Sequence, residues 1–225
     1  MWIERLRTGI SGLVDLVLPQ QCAGCGREGT SWCRECAGGL GGLHRVHRPL
    51  LADAPPAYAL GAYRGPARRA VLAYKEAGRR DLAGPLAGQL RTALRALAEV
   101  GSGEWWLVPA PSRAITSRRR GGAHMTRIAS RVAGAPGADP RARVADCLLL
   151  ARWTADSAGL APQQRLDNLA GRVLLRPGRL PPPGARIAVL DDVVTTGATA
   201  ASSAAVLAEA GLPVALVLAL TATAG

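Results

Sequence analysis

Two kinds of apolar spacing alternate along this chain. Short, nearly continuous apolar runs stand at 57–63, 105–111, 143–150, 186–192 and 213–223, and each reads as a strand. Between them, apolar residues return every third or fourth position over 67–78, 82–100, 124–134 and 199–211, which predicts helices. Strands this apolar on both sides belong in a mostly parallel sheet covered on both faces, so the predicted class is α/β. A further helical pattern places Ile3, Leu6, Ile10, Leu13, Val14 and Val17 on one face, and Pro19 ends it. That helix suits packing on the protein better than lying on a membrane surface. The proline-rich stretch 49–56 divides the chain into an N-terminal module, residues 1–48, and an α/β domain, residues 57–225.

Composition narrows the class. Hydrophobic residues make up 48% and charged residues 20%, which supports a packed core and excludes disorder. No apolar run is long and clean enough for a membrane span. Glu4 and Asp15 interrupt the N-terminal pattern and no small-residue cleavage site follows, so a cytoplasmic protein without a signal peptide is expected. The formal net charge is +12, and Lys75 is the one lysine among 28 basic residues. Such an excess fits polyanion partners, either nucleic acid or phosphate-bearing small molecules. It equally fits a general bias toward Ala, Gly, Arg and Pro. Phe is absent and aromatics are 4%, which argues against a dedicated base-stacking platform.

The stretch "CAGCGREGTSWCREC" carries two C-x-x-C knuckles, Cys22 with Cys25 and Cys33 with Cys36. Four thiolates from two such knuckles converge tetrahedrally on zinc. A redox role needs a single knuckle opening a helix beside a βαβ unit, and disulfides need an exported chain. Iron is chemically open, but a structural Zn²⁺ is the expected ion. Four thiolates leave no position for catalysis. His44 and His47 are then bystanders, and Cys147 reads as a buried strand residue.

Ligands of open parallel sheets bind beyond the carboxyl ends of the strands. One strand here ends on Asp191 and Asp192 and runs into Thr195, Thr196, Gly197, Ala198 and Thr199 before a helix. Free N–H groups at that helix start, with threonine hydroxyls, favour a phosphate. The acids would repel it, and instead suit sugar hydroxyls or waters on Mg²⁺. A ribose 5-phosphate carries both groups. A P-loop and a dinucleotide fingerprint are both missing. A helix cap accounts for one polar residue, not for six.

"IAVLDDVVTTGAT" resembles the phosphoribosyl-pyrophosphate (PRPP) motif of type I phosphoribosyltransferases. With the four cysteines, the chain from Leu18 onward resembles the ComF family of competence-associated, phosphoribosyltransferase-like proteins. "YRGPARRAVLAYKEAG" is similar to that family's Tyr-x-Gly…Lys segment and singles out Lys75. "LVPAPSRAITSRRRGG" resembles its Val-Pro-Val-Pro…Arg-x-Arg-Gly stretch, and "ARWTADSAGLAPQQR" its Arg-x-Thr segment. Gly121, Gly122, Ala123 and His124 stand where the family has Gly-Phe-Asn-Gln, and Asp156 replaces a Gln.

The resemblance implies a type I phosphoribosyltransferase-like fold and roles residue by residue. Thr195 to Thr199 would hold the 5-phosphate. Asp191 and Asp192 would face the ribose hydroxyls, directly or through Mg²⁺-bound water. Pro109, Ala110, Pro111, Ser112 and Arg113 would form the pyrophosphate loop, with Arg118 to Arg120 as counter-charges. Arg152 and Arg165 would close over the leaving group. Two functions are compatible with this: phosphoribosyl transfer to an unknown acceptor, or a PRPP-sensing partner of the DNA-uptake and recombination machinery that also engages single-stranded DNA.

Overall fold

The computed structural model describes residues 20–98, 103–111, 124–135, 137, 140–151 and 173–224. The predicted helix over 2–18 lies outside them, as do Ser112, Arg113, Arg118 to Arg120, Arg152, Asp156 and Arg165.

A short helix, α1 (Arg34–Ala37), lies across the second cysteine knuckle, with Cys33 at its N-cap and Cys36 within it. Then come β1 (His44–Arg45), β2 (Ala57–Ala62), α2 (Gly65–Lys75), α3 (Ala83–Leu97) and β3 (Trp105–Pro109). They are followed by α4 (His124–Ala133), β4 (Ala142–Val144), β5 (Leu148–Leu150) and β6 (Val173–Leu175). The described chain closes with β7 (Arg186–Val194), α5 (Ala198–Glu209) and β8 (Val214–Ala222). Six strands form one sheet in the order β1-β2-β8-β7-β3-β4, parallel throughout except for β1 against β2. The fold is therefore α/β with a mostly parallel sheet, as the apolar runs predict.

Alternation along β7 divides the core. Ala188 and Leu190 pack with α2, α3 and α4 on one face. Ile187 and Val189 pack with α5 and the small β5–β6 ladder on the other. One expectation fails: the apolar run 143–150 is two strands, not one. The chain leaves the main sheet after Val144, and Leu148–Leu150 pairs antiparallel with Val173–Leu175 instead. At the bend, Asp146 forms ion pairs with Arg176 and Arg179. Cys147 is buried, but between the strands rather than in one.

Cys22, Trp32, Cys33, Cys36 and Leu40 belong to the same apolar cluster as α2 to α4. The cysteine region is thus packed onto the sheet's first face. Arg69 Nε reaches the Gly24 carbonyl at 2.5 Å, and Arg79 Nη2 the Gln21 carbonyl at 3.0 Å. Within the proline-rich stretch, Leu51 is buried in the core of the second face.

Gly61 fixes how closely the cysteine region approaches β2. A Cβ at this position would stand 2.0 Å from the Gly39 carbonyl oxygen, a backbone atom that cannot swing away. Gly61→Ala is expected to destabilise the fold by about 1–3 kcal/mol, the usual cost of overpacking a tight contact. A urea titration followed by tryptophan fluorescence measures it, and an unchanged midpoint refutes the packing argument.

Candidate functional site

β3 and β7 are neighbours, but the chain leaves them in opposite directions, to β4 and to β8. α4 and α5 cover opposite faces. The carboxyl ends of β3 and β7 therefore flank the point where strand order reverses, the usual place for a ligand crevice. Pro109 pairs with Leu190 there, and the Ala110 N–H donates to the Leu190 carbonyl at 2.7 Å. Pro109, Ala110 and Pro111 thus lie beside the strand that carries Asp191 and Asp192.

Asp192 points to the face of α2 and α4. Its Oδ2 lies 2.7 Å from Lys75 Nζ and 2.7 Å from His124 Nε2. The carboxylate is only 7% exposed and His124 13%, while Lys75 keeps 32%. Burial works against charge on Asp192, but the His124 contact and the Lys75 ammonium outweigh it and lower its pKa to about 2. Tyr74, one residue before Lys75, donates its hydroxyl to the His124 carbonyl at 2.9 Å and meets the imidazole edge-on. Thr221 of β8 donates to the Asp192 carbonyl at 3.1 Å.

Asp191 behaves oppositely. Its Oδ1 accepts the Asp192 N–H at 2.8 Å. Burial, reinforced by the negative charge on Asp192, raises its pKa to about 8. The two neighbours are shifted in opposite directions, Asp192 toward the charged form and Asp191 toward the protonated one.

Beyond β7, Thr195 and Thr196 are exposed and Thr199 is half-buried. Gly197 has φ +86°, the left-handed conformation that favours glycine, and its missing side chain leaves room for Leu51. α5 begins at Ala198, and Gly197 at its N-cap brings no capping oxygen. Thr196 Oγ1 accepts the Ala198 N–H at 3.4 Å. The other N–H groups of that first turn have no partner within the helix and suit an anion. Arg48 braces the loop: Nε donates to the Thr195 carbonyl at 2.7 Å and Nη2 to the Thr223 carbonyl at 2.5 Å.

The four cysteine sulfurs lie within 4.8 Å of one another, and Cys25 and Cys33 are 3.7 Å apart. A tetrahedral thiolate site with bonds of about 2.3 Å has edges of about 3.8 Å, so the set fits a metal ion. The N–H groups of Gly24 and Cys33 point at Cys22 Sγ, at 3.4 and 3.3 Å. Burial opposes ionisation of Cys22, but those backbone donors prevail and lower its pKa to about 6.

Of the residues predicted for the site, Lys75, Asp191, Asp192, Pro109 to Pro111 and Thr195 to Thr199 gather around the carboxyl ends of the sheet. His124, Tyr74, Arg48 and Thr221 were not predicted as site residues. The signal for His124 was its place in "GGAH", where the similar segments carry Gln. No protein-family model matches this chain, and no curated protein does.

Proposed function

We propose that the crevice between β3 and β7 binds PRPP with Mg²⁺, in a type I phosphoribosyltransferase-like fold of the ComF kind. The supporting observation is that two acids shifted in opposite directions lie near the carboxyl end of β7, and an uncapped helix start follows them within a few residues. Thr195, Thr196 and Thr199, with the N–H groups around Gly197 and Ala198, would hold the 5-phosphate. Asp191 would accept from the ribose hydroxyls or from Mg²⁺-bound water, giving up its proton as it does so. Mg²⁺ would supply charge to offset the pyrophosphate. Pro109 to Pro111 would border the pyrophosphate, and Lys75 and His124, which hold Asp192, lie near the same edge. The four cysteines would hold structural zinc.

A second reading of the same site is binding of PRPP without turnover: Asp192 is held by Lys75 and His124, which leaves Asp191 as the neighbouring acid for the ligand. The protein would then act as a PRPP sensor, and the DNA-uptake setting rests on the sequence resemblance alone.

Calorimetry with PRPP and Mg²⁺ tests the binding claim, and the expected result is saturable binding that needs Mg²⁺. Absence of binding at millimolar PRPP overturns it. Pyrophosphate release in an acceptor screen separates an enzyme from a sensor.

A further inference from the structure

A second opening lies at the far side of the sheet's carboxyl edge. A cavity of about 770 Å³ is bounded by the ends of β2 and β8, by β1, and by the start of α2. Its volume falls in the range of small-molecule sites, about 300–1,000 Å³. His44, Arg45, His47, Arg48 and Arg64 line it, and among the described residues no Asp or Glu does. The two histidines next to the cysteine knuckles thus face this cavity.

The basic groups differ in how far they are already engaged. All three nitrogens of the Arg48 guanidinium donate to backbone carbonyls, those of Thr195, His47 and Thr223. Arg45 lies over the Tyr58 ring at 5.9 Å and makes no ion pair among the described residues. Arg64 makes neither a side-chain hydrogen bond nor an ion pair among the described residues, although it stands at the N-cap of α2. No side chain caps that helix, and Gly65, Pro66 and Ala67 of its first turn line the cavity. Val46 and Ala59 are buried lining residues, with Gly61 and Ala62 beside them, so the floor is apolar and built of small side chains.

Uncompensated guanidinium forks beside an open helix start recognise a phosphate or a similar oxyanion. An apolar floor of this extent leaves room for more than inorganic phosphate. We propose that this cavity binds an organic phosphate monoester of nucleotide size through Arg64, Arg45 and the first turn of α2. The cavity borders the threonine loop through Arg48, but it does not depend on the PRPP reading.

AMP is the probe, titrated by calorimetry against adenosine and inorganic phosphate. The expected result is AMP binding at least tenfold tighter than either half of the molecule. Arg45→Ser with Arg64→Ser is expected to weaken AMP at least tenfold with an unchanged melting temperature. AMP also carries a ribose 5-phosphate, so Thr195→Asp supplies the second arm by placing a negative charge in the threonine loop. That variant is expected to keep AMP affinity while losing any PRPP affinity. Three results overturn the proposal: no binding at millimolar AMP, full affinity in the double arginine variant, or loss of AMP binding in Thr195→Asp.

Discussion

Stripping the metal from the four-cysteine site is expected to lower the thermal unfolding midpoint by about 10 °C. Structural thiolate sites contribute about 10–16 kcal/mol of metal binding in isolated zinc-finger peptides. If about 4 kcal/mol of that is coupled to folding here, a chain of this size loses about 8–16 °C, at about 2–4 °C per kcal/mol. Coupling is expected because the site is not an appendage. Cys22, Cys33 and Cys36 are 3–5% exposed and share a core cluster with Trp32, Leu40 and α2 to α4. Gly24 crosses so close to Cys36 that a Cβ there would sit 2.6 Å from its sulfur. Without metal, burial and the neighbouring thiols push the Cys36 thiol far up, and Cys33 is raised as well, so these two sulfurs hold their protons. Metal binding must displace those protons, and its apparent affinity is expected to rise with pH. Cys36→Ser should reproduce the effect of a chelator, with Trp32 fluorescence shifting as its pocket opens. Elemental analysis identifies the ion. A chelated protein with an unchanged midpoint would show that the cysteines do not support the fold.

The sheet was legible in the sequence because its strands are buried on both faces and read as unbroken apolar runs. β3, β7 and β8 fall within two residues of their predicted ends. The failures have local causes. β1 and β6 are two and three residues long, too short for any period to register. The run "RVADCLLL" looks continuous because Asp146 is a single polar interruption. Its pairing with Arg176, some thirty residues on, turns the chain, and no local pattern reports that. At the site, Asp191, Asp192 and the threonine loop were visible because chemistry and position coincide in one short stretch. Lys75 came only from the resemblance. His124 and Arg48 act across 68 and 147 residues of sequence, and their partners become neighbours only when the sheet forms. Nor could the sequence tell the two acids apart. Adjacent residues of a strand point to opposite faces, and only packing shows which face carries Lys75 and His124.

That difference predicts opposite effects from the same substitution at adjacent positions. Asp191→Asn is expected to stabilise the protein at pH 8, and Asp192→Asn to destabilise it. Burial and the charge on Asp192 raise Asp191 from 3.8 to about 8. The folded protein therefore keeps a proton that the unfolded chain has lost. Stability from this group is full below pH 4 and declines as pH rises toward 8. Asn removes the decline and can still accept the Asp192 N–H. The gain should be about 2 kcal/mol at pH 8, reduced from the full linkage because solvent reaches the half-buried carboxyl. Asp192 runs the other way, held at about 2 despite its burial by His124 and Lys75. Its contribution is present above pH 4 and is lost as pH falls toward 2. Asp192→Asn leaves the Lys75 ammonium without its counter-charge and weakens the His124 contact. Breaking a fully buried pair costs about 3–5 kcal/mol, and the partial exposure of Lys75 brings the expected loss to about 2 kcal/mol at pH 7. Urea titrations of both variants from pH 3 to pH 8 measure the two curves, and shifts of the same sign at pH 8 would refute the assignment. Binding adds the functional contrast. If Asp191 meets Mg²⁺-bound water or ribose hydroxyls, the more stable variant should be the one that loses PRPP. PRPP affinity in the parent protein should then rise with pH up to about 8, as that carboxyl ionises. That pairing of higher stability with lost PRPP affinity would assign the Asp191 carboxyl to function rather than to the fold.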